Sequence, residues 1–69
     1  MRTEEQFAIA YKQAKWFVNF HKKNVWLVPT EDDYRLSVVK PTSVPKGTTA
    51  IQYDPNMDIV EEYPIKEKD

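Results

Sequence analysis

Sixty-nine residues, 41% of them hydrophobic and nine of them aromatic, with 30% charged and no cysteine, describe one small folded domain. The apolar content excludes a disordered chain, and the missing cysteines exclude disulfides and thiolate metal sites together. A net charge of -1 hides a polarity: residues 1–30 carry a balance of +3 and residues 31–69 one of -4, a pattern that suits either a basic binding face or, more simply, a basic helix over an acidic sheet edge.

The first predicted element is a helix over roughly Glu4 to Lys23. Thr3 and Gln6 form a capping box, and Glu4 and Glu5 sit at the positive end of the helix dipole. His21, Lys22 and Lys23 stand near the negative end, and Asn24 is the expected left-handed residue that stops it. Phe7, Ala10, Tyr11, Ala14, Phe17, Val18 and His21 make one stripe at helical spacing, the core face. About 180° away, at about 100° per residue, Ile9, Trp16 and Phe20 make a second apolar stripe. A monomer of this size needs one such face, so the second is expected to bury against a partner.

After Asn24 the periodicity changes from helix to strand. Val25–Val28 is a β-rich run that stops at Pro29. Thr30–Asp33 is a polar turn, and Tyr34–Lys40 reads as a second strand that places Tyr34, Leu36 and Val38 opposite Arg35, Ser37 and Val39. Pro41–Thr48 is a loop, with Pro45 expected at the second position of a turn ending at Gly47. Thr49–Tyr53 is a third strand. In the following turn Asp54 caps, Pro55 presets its backbone angle, and Asn56 tolerates an unusual one. Met57–Tyr63 is a candidate edge strand closed by Pro64; a helical turn is the alternative there. The expected architecture is α+β in the order α-β-β-β with an optional fourth strand: one N-terminal helix on a three- to four-stranded antiparallel sheet, a single domain over residues 1–65 with a frayed tail at 66–69.

The sheet repeats the apolar excess of the helix. Val25 and Leu27 point one way; Trp26 and Val28 point the other and, with Val39, form a second candidate surface. The expected partner-binding residues are therefore Ile9, Trp16, Phe20 and Trp26. In a competing arrangement the surplus folds beneath the Pro41–Gly47 loop and leaves a monomer.

Other chemistry is thin. Lys12, Lys15, Lys22 and Lys23 interleave with aromatics, which suits phosphate contact and base stacking, but a sequence pI near 5.8 is low for a nucleic-acid-binding domain. His21 is the lone histidine and has no nucleophile nearby in the sequence. Asp54, Asn56 and Asp58 open like a calcium loop, yet Ile59 and Ile65 occupy the positions that need glycine and glutamate. Glu31–Asp33 and Glu61–Glu62 read as solvated turn and edge residues.

One glycine cannot build a phosphate loop. No catalytic residue, metal or cofactor is expected, and no small-molecule substrate. Charges at Arg2, Glu4, Glu5, Lys12 and Lys15 interrupt any signal-peptide core, and no apolar run approaches ~20 residues. The expectation is a non-catalytic cytoplasmic protein away from membranes. It would work as a homodimer or as an accessory or regulatory protein docking on a larger one, with nucleic-acid binding by the basic helix as the alternative. No motif ties the chain to a family.

Overall fold

The structure, a computed structural model, describes residues 2–64. Helix α1 (Glu4–His21) is followed by strands β1 (Val25–Pro29), β2 (Tyr34–Ser37), β3 (Ala50–Tyr53) and β4 (Ile59–Tyr63). The strands form one antiparallel sheet in the order β2-β1-β3-β4. This is the expected α+β arrangement with the fourth strand present. The expected tail at 66–69 lies outside the described residues.

The capping box forms as read: the Gln6 backbone N–H donates to Thr3 Oγ1 at 3.1 Å, and the Thr3 N–H donates to Gln6 Oε1 at 2.8 Å. The stop comes earlier than expected. Lys22, not Asn24, is left-handed, at φ 57°, and its N–H closes the last turn on the Val18 carbonyl at 2.9 Å. Only Lys22, Lys23 and Asn24 separate α1 from β1, so the chain must reverse at the first of them to enter the sheet.

The centre of the core stripe is built from small residues. Ala10, Ala14 and Val18 are buried, which lets the helix lie close over β1 and β2. The larger rings flank this seam. Phe7 meets Tyr34 edge-on at 5.5 Å, and Tyr11 meets Tyr53 edge-on at 5.5 Å. Two expected core residues are instead exposed: Phe7, whose ring borders Tyr34, and His21, whose ring rests on Phe17 at 4.4 Å.

Among the strands of the described residues, β1 alone is buried at every position. Val25 and Leu27 face α1, where they cluster with Ala14, Val18, Ala10 and Tyr53. Trp26 and Val28 face the other way, cluster with Ala50, and are covered by Val44 and Tyr63. The cover comes from the connection between β2 and β3, which crosses this second face of the sheet. It is tied to β4 by the Tyr63 hydroxyl donating to the Thr42 carbonyl at 2.9 Å. Lys40 adds an ion pair to Glu61 at 2.8 Å. The fold thus has three layers: helix, sheet and loop.

The turns differ in detail from the reading of the sequence. β2 ends at Ser37, whose hydroxyl accepts from the Val39 N–H, so Val38 and Val39 lie in a bend and not in a strand. Pro45 opens its turn rather than holding the second position: its carbonyl accepts from the Thr48 N–H at 3.1 Å, and Gly47 takes the positive φ of 79°. In the β3–β4 turn the positive φ falls on Met57, at 64°, and not on Asn56. Asp54 Oδ1 accepts from the Asn56 and Asp58 N–H groups, so the reversal is completed one residue later. The register shifts between Gln52 and Tyr53, which pair with Glu61 and Ile59 and leave Val60 as an extra residue in β4.

Candidate protein-binding surface

The outer face of α1 places Ile9, Trp16 and Phe20 on one exposed stripe, as expected. Trp16 is 63% exposed and Phe20 68%. One helical turn apart, their rings stack face to face, with centroids 5.2 Å apart and planes within 5°. His21 meets Phe20 edge-on at 4.9 Å and Phe17 on its other side, which carries the apolar surface round the helix towards β2. Two shallow depressions lie along that flank. One, of about 180 Å³, is bordered by Ile9, Ala10, Gln13 and Tyr34. The other, of about 250 Å³, is bordered by Phe17, Leu36 and the exposed Val38.

Trp26 does not belong to this surface. It is 2% exposed, beneath Val44 and Tyr63, and cannot meet a partner. The reason is the path of the 38–49 connection, which brings Val44 and the buried Pro41 across the sheet. Pro41, Val44 and Pro45, the apolar residues of that loop, are the sequence signal for this cover. The two surplus faces therefore have different fates: on the sheet Trp26 and Val28 are roofed internally, with Val39, in its bend, left exposed, and the stripe on the helix stays open.

Lys12, Lys15, Lys22 and Lys23 are all exposed. At about 100° per residue, Lys12 borders the Trp16–Phe20 stack and Lys15 and Lys22 lie more than 100° from Phe20 around the helix, while Lys23 follows the left-handed Lys22 beyond the helix end. The four lysines thus do not form one line beside the stacking rings.

Two of the remaining candidates hold their own turns. The carboxylate of Asp54 holds its own turn, and Asp33 accepts from the Tyr34 N–H at 2.8 Å. Arg2 donates to the Thr30 carbonyl and lies 5.8 Å from the centre of the Tyr34 ring, in an open depression at the start of α1. Among the described residues no three of His, Cys, Asp and Glu gather where a metal ion would need them. No helix among the described residues is long and apolar enough to cross a membrane. Burial, then the neighbouring Tyr11 and Glu62, push the Tyr53 phenol above its ordinary range.

No family model matches this chain, and neither does any curated protein or solved structure.

Proposed function

We propose that this chain is a non-catalytic protein-binding module that works through the outer face of α1. The observation that carries the reading is the exposed Trp16–Phe20 stack, on a helix whose opposite face already supplies the core. Aromatic side chains dominate interface energetics once desolvated, and an open patch of them is a solubility hazard unless something covers it. The rings are also preorganised. Stacked on each other, they lose little further freedom when a partner arrives.

The test is the double variant Trp16→Ala with Phe20→Ala. The expected outcome is a folded protein whose unfolding free energy lies within about 0.5 kcal/mol of wild type, because the removed atoms face solvent. Its association with protein partners, including itself, is lost. Unfolding of the variant would return the stripe to the core and sink the reading. Binding of single-stranded oligonucleotides that weakens steeply with salt would replace it with the nucleic-acid alternative, in which Lys12, Lys15, Lys22 and Lys23 contact phosphate.

A further inference from the structure

We infer that the partner on this face is a second copy of the chain, docked helix to helix and antiparallel about a two-fold axis near the middle of α1. The inference rests on the reading of that face as a protein interface and names its occupant.

Charge decides the orientation. The first turn of α1 carries Glu4 and Glu5, and its other end carries His21, Lys22 and Lys23, all exposed. A parallel pair would set acid against acid and base against base. An antiparallel pair sets each acidic end against a basic one and opposes the two helix dipoles. The apolar register agrees. An axis between Ala14 and Lys15 places Ile9 opposite Phe20 of the second copy, Gln13 opposite Trp16, and Glu5 beside Lys23. The depression between Ile9, Gln13 and Tyr34 then opens where the Phe20 of the second copy arrives.

Size and shape are compatible with this pairing. From the exposures of Ile9, Trp16 and Phe20, and side chains of roughly 150–250 Å² each, the stripe offers about 400 Å² per copy. Two copies with their polar rims reach the roughly 1,000 Å² of a small specific interface. Closed two-fold symmetry uses the same patch twice and leaves none exposed. The 38–49 connection lies on the far side of the sheet, so the pair stacks as sheet, helix, helix, sheet, with both loops outermost.

The test is a charge swap read by sedimentation equilibrium. Wild type is expected to rise from 8.2 kDa towards twice that mass between about 1 µM and about 1 mM, the range of a modest interface. Glu5→Lys and Lys23→Glu should each weaken dimerisation roughly 3- to 10-fold, because each sets like charges together at both ends of the pair. Mixing the two variants restores attraction at both ends, so the mixed dimer should form about as tightly as wild type. Damage to the fold by either substitution cannot produce that rescue. A mixture no tighter than its components overturns the antiparallel pairing.

Wild type fixed at 8.2 kDa throughout overturns the second copy. If the Trp16→Ala, Phe20→Ala variant then keeps its stability, the reading of an open binding face survives for a foreign protein. If wild type dimerises and that variant dimerises equally well, both the pairing and the reading fail.

Discussion

Trp16 and Trp26 are the same residue ten positions apart, each on the apolar surplus of its element, and they end in opposite environments. Trp26 is 2% exposed and Trp16 is 63% exposed. The difference lies in what the chain does afterwards. A strand at the centre of a sheet can be roofed by the connection between its neighbours, and the segment from Val38 to Thr49 is long enough to cross beneath β1. The outer face of a helix lying on a sheet has no such connection above it. An apolar surplus on a sheet can therefore be absorbed within one chain, whereas the same surplus on an outer helix face waits for another.

The strongest way to break this comparison is to truncate both rings. Trp26→Ala should cost about 3–5 kcal/mol in chemical denaturation, since it removes a filled site between β1, Ala50 and the loop. Trp16→Ala should cost less than about 0.5 kcal/mol in the same experiment. Similar losses for the two would mean that the outer stripe is part of the fold. A finer probe is the roof itself. Val44 is half-buried over Trp26, and Val44→Ala should cost about 1 kcal/mol and shift the Trp26 emission towards that of solvated indole, while leaving Trp16 unchanged.

The smallest effect sharpens the contrast from the helix side of the sheet. Burial is the first cause that raises the pKa of Tyr53 above 10.0, followed by the nearby Tyr11 and Glu62. The folded state therefore favours the neutral phenol more than the unfolded state does. That stabilisation is complete below the unfolded value and is lost as pH rises through the raised folded one. Thermal melts should show stability falling above about pH 10, and Tyr53→Phe should reduce the slope. An unchanged slope in that variant would assign the alkaline loss to other groups.

Much of the fold was legible in the sequence. The capping box, the two helical stripes, the hairpin across Thr30–Asp33 and the alternation in β1 and β3 each follow from rules that act within a few residues. Lys22 takes the reversal expected of Asn24 and Met57 the one expected of Asn56, while Gly47, expected to end its turn, instead holds the third position of the Pro45–Thr48 turn at positive φ. In the first two cases the propensity of the nearby residue was outweighed by where the next strand had to begin. His21 was placed in the core by spacing alone, but it is the last residue of the helix and its ring lies against Phe17 and Phe20 in the open.

Composition and periodicity establish an α+β chain with more apolar faces than a single core needs, because both are properties of neighbours along the chain. They do not establish which surplus is buried internally. That choice belongs to the tertiary structure. The path of the 38–49 connection, anchored by Tyr63 to Thr42 and by Lys40 to Glu61, together with the Tyr63 ring of β4, buries Trp26. Only the position of α1 as an outer layer leaves Trp16 and Phe20 in water. Both are contacts between residues far apart in sequence, and local pattern carries no information about which distant segment arrives to cover a face.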